Sequence, residues 1–168
     1  MSTAVVVGNP KPGSRTLASA EHVARELTGT EPDLVVDLAE LGAALLDWSS
    51  AEVIALVEQV GAADLVVVAS PTYKGTFTGL LKLFLDRFAG GSGLRGLAIP
   101  LMLGAGPVHA LASEVSLRPV LTELGATVPG RGLFILDSAY DSPASYEDWL
   151  TATRPVVGTL LAGRDATA

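Results

Sequence analysis

The chain has no cysteine among its 168 residues. That removes disulfides, thiolate metal sites and cysteine nucleophiles from consideration. Charge is scarce as well: 17% of residues are charged, 11 Lys and Arg stand against 18 Asp and Glu, and the net charge is −7. Holding nucleic acid takes clustered cations that neutralise phosphates, so that class of partner is excluded. Metal-ligand spacing is missing too. The carboxylates nearest strand ends, Asp37, Glu40, Asp137 and Asp141, read as solvated loop charges rather than a metal site. The start offers no charged-then-apolar segment, because Met1-Ser2-Thr3 runs directly into a strand pattern, and a cytoplasmic protein is the simplest expectation. An uncharged stretch from Gly96 to Ser113 is long enough for a membrane span, yet Pro100, Gly104, Gly106 and Pro107 interrupt it. A strand, a loop and a helix start are expected there instead, and no membrane partner.

Apolar residues, by contrast, are plentiful. At 49% hydrophobic, the chain can bury a sizeable core in one compact domain across residues 1–168. Short runs of Val, Leu and Ile alternate with longer helical patterns, as parallel strands buried on both faces require. Strands are predicted at Ala4–Val7, Leu34–Asp37, Leu65–Ser70, Leu97–Leu103 and Leu133–Leu136. Helices are predicted at Arg15–Thr28, Ser49–Gly61, Thr76–Phe88, Pro107–Leu124 and Ala144–Leu161. Five strand–helix units give an α/β protein, a flavodoxin-like three-layer αβα sandwich whose five-stranded parallel sheet has the order 2-1-3-4-5.

The switch point of that order lies between the first and third strands. The loops Gly8–Thr16 and Pro71–Gly75 are therefore predicted neighbours across one crevice, with Gly104-Ala105-Gly106 as a third wall. The first loop has neither the glycine spacing of dinucleotide folds nor the Gly-Lys-Ser/Thr of nucleoside triphosphate sites. It offers hydroxyls, backbone amides and two cations. Ser14 can cap the first helix and Thr16 lies in its first turn, while Lys11 and Arg15 can add charge-assisted bonds, a set that suits one phosphate group. The plainer alternative is a simple N-cap with two solvated cations. The second loop carries a ring-sized aromatic, Tyr73, and a cation, Lys74, at a strand end; each has its own plain alternative, a lid on the core and a solvent-facing charge.

Three segments carry a family resemblance: Gly8-Asn9-Pro10-Lys11-Pro12-Gly13-Ser14-Arg15-Thr16-Leu17, then Pro71-Thr72-Tyr73-Lys74-Gly75 with Thr78-Gly79-Leu80-Leu81-Lys82, then Gly104-Ala105-Gly106-Pro107-Val108-His109. Together they resemble the NAD(P)H-dependent FMN reductases over about Val5 to Asp137. The chain is most similar to the branch that supplies reduced flavin to two-component monooxygenases such as those acting on alkanesulfonates. The resemblance implies FMN as cofactor and NADPH or NADH as hydride donor. It also implies that Asn9, Lys11, Ser14, Arg15 and Thr16 surround the FMN phosphate. Pro71, Thr72, Tyr73, Lys74 and Gly75 would border the isoalloxazine and ribityl chain, with Gly104, Ala105 and Gly106 flanking the ring. No catalytic side chain is implied, because the hydride moves on the flavin itself.

Two positions depart from that branch. Asn9 stands where a Ser is usual, and Val115 stands where a Tyr is associated with a π-type irregularity at a subunit interface and with diffusible flavin. Prosthetic FMN stays open for that reason, although Pro119 inside the fourth helix predicts local irregularity even without the Tyr. His109 matches a His of the branch and is read as an interfacial hydrogen-bonder. The third helix carries Leu80, Leu81, Leu83, Phe84, Leu85 and Phe88, a wide apolar face that points to a homodimer or tetramer unless it is consumed within the monomer. Trp48, Trp149, Tyr140 and Tyr146 read as packing residues. Three functions stand: a flavin reductase supplying a partner monooxygenase, an FMN-containing quinone or azo reductase, and a flavodoxin-type electron carrier. No separate 2′-phosphate site distinguishes NADPH from NADH.

Overall fold

In a computed structural model, in which residues 1–165 are described, five parallel strands form one sheet of order β2-β1-β3-β4-β5. The strands are β1 (Thr3–Val7), β2 (Leu34–Asp37), β3 (Leu65–Pro71), β4 (Leu97–Gly104) and β5 (Leu133–Leu136), each within a residue of its predicted bounds. Their side chains alternate between two cores, which is why the strands read as unbroken apolar runs. Ala4, Val6, Val66 and Val68 face one core, and Val5, Val7, Val67 and Ala69 face the other. Helices α1 (Arg15–Thr28) and α6 (Ala144–Asp165) cover the second core. The first is covered by α2 (Leu38–Leu41), α3 (Ala51–Ala62), α4 (Gly79–Leu85) and α5 (Arg118–Glu123).

Pro100 sits inside β4, a strand with partners on both sides. It is tolerated because its missing donor falls in a gap: Ala98 N donates to Thr127 O on that side, and the β4–β5 ladder begins only at Leu101. The Gly96–Ser113 stretch is thus a strand and a turn. Among the described residues no helix is long and apolar enough to cross a membrane.

The last helix runs a turn past its predicted end at Leu161, to Asp165, and two others differ more deeply from expectation. The third, predicted over Thr76–Phe88, spans only Gly79–Leu85, because residues 73–76 form a tight turn and the amides of Arg87 and Phe88 bond to carbonyls only three residues back. Most of its apolar face is consumed inside the chain: Leu81, Phe84, Leu85 and Phe88 are buried, and Leu83 is the exposed member of that set. The fourth is broken into a 3₁₀ turn (Pro107–His109), a π-helical turn (Ser113–Leu117) and α5. Pro119 has no N–H and its ring crowds the carbonyl one turn back, so the chain widens: Arg118 N donates to Ser113 O, five residues earlier. The irregularity expected from Pro119 is therefore present with Val115 in place of the Tyr. The short helix α2 and the 3₁₀ segment Gly42–Leu46 have no counterpart in the sequence reading.

Where β1 ends, Gly8 lies flush against the first turn of α4. A Cβ there would stand 2.3 Å from Leu81 Cβ and 2.9 Å from Leu81 Cα, inside any tolerable contact. Gly8→Ala is expected to lower unfolding stability by about 2 kcal/mol or more, read as a lower urea midpoint at unchanged slope. On the other face, burial pushes the Tyr146 phenol up from its usual value. The folded chain then keeps a proton that the unfolded chain releases near pH ~10, so this contribution is intact below that pH and lost as pH rises through the folded value. Tyr146→Phe should remove that share of the alkaline loss in urea titrations run between about pH 8 and 11.

Candidate functional site

The carboxyl ends of β1 and β3 adjoin, and the loops that leave them build the site. In the first, Ser14 caps α1 by accepting from Leu17 N at 3.3 Å. The amides of Arg15 and Thr16 precede the first intrahelical bond, so they stay available as donors at the positive end of the helix dipole. Asn9 folds back over this turn: its Nδ2 donates to Thr16 Oγ1 at 3.0 Å and its Oδ1 accepts from Lys11 N at 3.0 Å. Asp37 is no solvated charge. It is 7% exposed, and its carboxylate accepts from Gly13 N at 3.0 Å and from Ala39 N at 3.3 Å, fixing the loop at a glycine with φ 60°. Among the described residues no group of three or more His, Asp or Glu is placed to hold a metal ion.

The second loop is a tight hairpin turn. Lys74 at φ 54° and Gly75 at φ 85° occupy its centre, closed by Tyr73 N to Thr76 O at 2.8 Å and Thr76 N to Tyr73 O at 3.3 Å. Two consecutive positive φ values define a type I′ turn, an uncommon place for a lysine. The turn leaves Tyr73 53% exposed at the rim of the crevice. Thr78 ends the loop and caps α4. Its hydroxyl donates to Gly8 O at 2.5 Å and accepts from Leu81 N at 3.1 Å, while its amide donates to Ser70 Oγ at 3.0 Å.

Between these loops lies a cavity of about 390 Å³, lined by Asn9, Lys11, Gly13, Ser14, Arg15, Thr16, Ala18, Pro71, Tyr73, Asp137 and Tyr140. That volume suits a small-molecule ligand, for which about 300 Å³ is the usual lower bound. All five phosphate-loop residues expected from sequence line it, with Pro71 and Tyr73. Thr72, Lys74, Gly75, Gly104, Ala105 and Gly106 do not line it. Lys74 and Gly75 form the tip of the turn, and Thr72 stands between cavity and third loop. Its amide donates to Leu103 O at 2.6 Å, and its buried Oγ1 has no hydrogen-bond partner. A Cβ on Gly104 would lie in ordinary contact with that Oγ1 at 3.5 Å but would meet the Phe134 ring at 2.7 Å, so glycine lets that ring pack closely there.

In place of the expected third wall stands a new one. Asp137 and Tyr140, read from sequence as a solvated charge and a packing residue, come from the turn after β5. Arg15 lies over the Tyr140 ring at 5.5 Å and donates from Nη1 to Asp137 O at 3.4 Å. The signal available was position, since every loop at the carboxyl end of a parallel sheet is a candidate wall. Trp48 and Trp149 lie elsewhere. His109 is half-buried in the 3₁₀ turn, its amide bonded to Gly106 O at 3.4 Å.

Helix amides, two cations and two hydroxyls beside an aromatic ring can hold one phosphate and a flat ring. No acid–base pair is built at the site. Residues 1–141 match the family described as NADPH-dependent FMN reductase. Among individual proteins, the chain is 31% identical over 157 residues to the NADH-dependent FMN reductase SfnF of Pseudomonas putida, covering 85% of this chain and 84% of the relative. It is 28% identical over 142 residues to an FMN reductase (NADPH) of Escherichia coli, covering 82% and 74%. The crystal structure of the apo NADH:FMN oxidoreductase EmoB superposes with a TM-score of 0.81 at 29% identity, covering 96% of this chain and 89% of that one.

Thr78→Val keeps the side-chain shape and deletes the hydroxyl, leaving Gly8 O and Leu81 N unpaired in a buried place. A loss of about 2–4 kcal/mol in urea unfolding is expected, together with weaker flavin binding because the two loops come apart. Undiminished stability would show that the shared hydroxyl is not the joint between them.

Proposed function

The chain belongs to the NADPH-dependent FMN reductase family, and from that premise we propose that it transfers a hydride from NADPH or NADH to FMN and supplies the reduced flavin to a partner monooxygenase. The observation that carries the reading is the cavity itself, where free helix amides, Lys11 and Arg15 stand one loop away from an exposed aromatic ring. FMN, when bound, accepts the hydride; the protein's contribution is orientation and electrostatics.

The residues present fit that cofactor. Arg15 N, Thr16 N, Ser14 and Lys11 would hold its phosphate, with Asn9 keeping the Thr16 hydroxyl in place. Tyr73 would border the ring. Gly104 stands outside the cavity, its missing Cβ leaving room for the Phe134 ring and Thr72 Oγ1. The π-helical turn at Ser113–Leu117 and the openness around Tyr73 both suit a flavin that arrives and leaves, rather than a permanently held group.

Self-association belongs to the same reading. Val108, Leu111 and Val115, 84%, 60% and 66% exposed, line up on the segment that contains the π-helical turn, and they suit a dimer or tetramer contact. Val115→Glu is expected to reduce the solution mass measured by light scattering.

For activity, NADPH and NADH oxidation in air should depend on added FMN and saturate with it. Tyr73→Ala is expected to lower kcat/KM for FMN about ten-fold through lost ring contact, with the fold unchanged by circular dichroism. Tight yellow protein that oxidises neither nicotinamide would overturn the reductase reading in favour of an electron carrier. Retained FMN with faster turnover on quinones would point to a quinone reductase.

A further inference from the structure

Arg15 does not hang free at the mouth of the cavity. Its guanidinium rests 5.5 Å from the centroid of the Tyr140 ring, and one of its five donors goes to the Asp137 carbonyl at 3.4 Å. The remaining donors stay available to an anion, because a ring face takes up the plane of the cation and not its N–H edge.

Tyr140 is itself pinned. Its carbonyl accepts the phenol proton of Tyr146 at 2.5 Å, and the same phenol oxygen accepts from Ser19 Oγ at 2.8 Å, since a carbonyl can only accept. Tyr146 is 1% exposed and Ser19 is fully buried. The edge of His22 packs on the Tyr146 ring at 4.6 Å. Ser19 and His22 lie on α1, the helix that carries Arg15 at its first position. The ring, through Tyr146, and the cation it supports are therefore both tied to one helix.

From this we propose that Tyr140 is a positioning residue: it holds the Arg15 guanidinium over the phosphate-binding turn and so makes the site choose FMN over the unphosphorylated flavin, riboflavin. The proposal rests on the reading of the cavity as an FMN site. A long, flexible arginine would otherwise lose its rotamer freedom when the phosphate arrives, and the stack removes part of that loss beforehand. Asp37 serves the loop's backbone and Tyr140 serves its cation, so neither duplicates the other.

The test is a double-mutant cycle read by flavin fluorescence with FMN and with riboflavin. Arg15→Ala should weaken FMN binding about ten-fold or more, the value of a charge-assisted bond to phosphate, and leave riboflavin unchanged. Tyr140→Leu should weaken FMN about three-fold with riboflavin unchanged, and Tyr140→Phe should restore wild-type binding because the ring face is kept. In the Arg15→Ala background, Tyr140→Leu should have no further effect on FMN. Equal losses for the two flavins, or an unreduced Tyr140→Leu effect without Arg15, would overturn the proposal and make Tyr140 a direct flavin contact or a structural prop. Wild-type protein that binds neither flavin would instead remove the FMN reading on which the proposal stands. Riboflavin binding also serves as the internal control that each variant is folded.

Discussion

The site depends on one buried hydroxyl. Thr78 Oγ1 donates to the carbonyl of Gly8, the first residue beyond β1, and accepts from Leu81 N, the amide of the α4 first turn that needs a cap. Gly8 permits this only because it has no side chain to meet Leu81. Ser70 extends the joint on the β3 side, accepting from Thr78 N and donating to Pro71 O at 2.8 Å. Each bond contributes about 1 kcal/mol net, but leaving such groups unmade in the core costs more, so the arrangement is effectively all-or-none. The phosphate loop and the aromatic loop thus form one unit, although more than sixty residues separate Gly8 from Thr78, at |i−j| 70. A ligand that bridges them finds both ends at fixed spacing, which is the precondition for orientation to matter.

Most of the frame was legible because it rests on burial, and burial leaves a pattern. Val5 and Val6 must both be apolar when both faces of β1 are covered, and the strand order is the one expected of five strands joined by four right-handed crossovers. Ser14 and Thr16 were legible for a local reason, the need of a helix start for a cap. The irregular fourth helix was legible from Pro119 alone, since a missing donor has a local consequence wherever it stands. The turn at Tyr73–Thr76 was not. Lys-Gly lacks the Asn-Gly signal of type I′ turns, and nothing local in the sequence announces a positive φ at Lys74.

The wall after β5 escaped for a different reason. Asp137 and Tyr140 sit in a short 3₁₀ connection with no periodicity, and what places Tyr140 is a contact with Tyr146 and, through it, with Ser19, |i−j| 127 from Tyr146. Asp37 likewise acts on Gly13 across 24 residues. A charge near a strand end looks the same in sequence whether it is solvated or caps two amides; only the third dimension separates the two. Long-range polar contacts of this kind tie the loops of the site to distant parts of the chain.

A chain of net charge −7 that takes anionic ligands poses an apparent conflict, and distance resolves it. At physiological salt the screening length is about 8 Å, so carboxylates spread over the surface contribute little at the phosphate turn. At the cavity stand Lys11, Arg15, the helix amides and Asp137, with Asp37 bound to the loop through Gly13 N. Asp37 spends its two oxygens on the Gly13 and Ala39 amides and so fixes the shape of the loop that carries the cations. Asp137 offers its carbonyl to Arg15 and so orients the cation that faces the anion. The overall acidity slows the approach of an anion without setting how firmly it is held. Affinity is decided by a handful of short-range donors whose positions the two cores, the Thr78 joint and the Tyr140 stack hold in place.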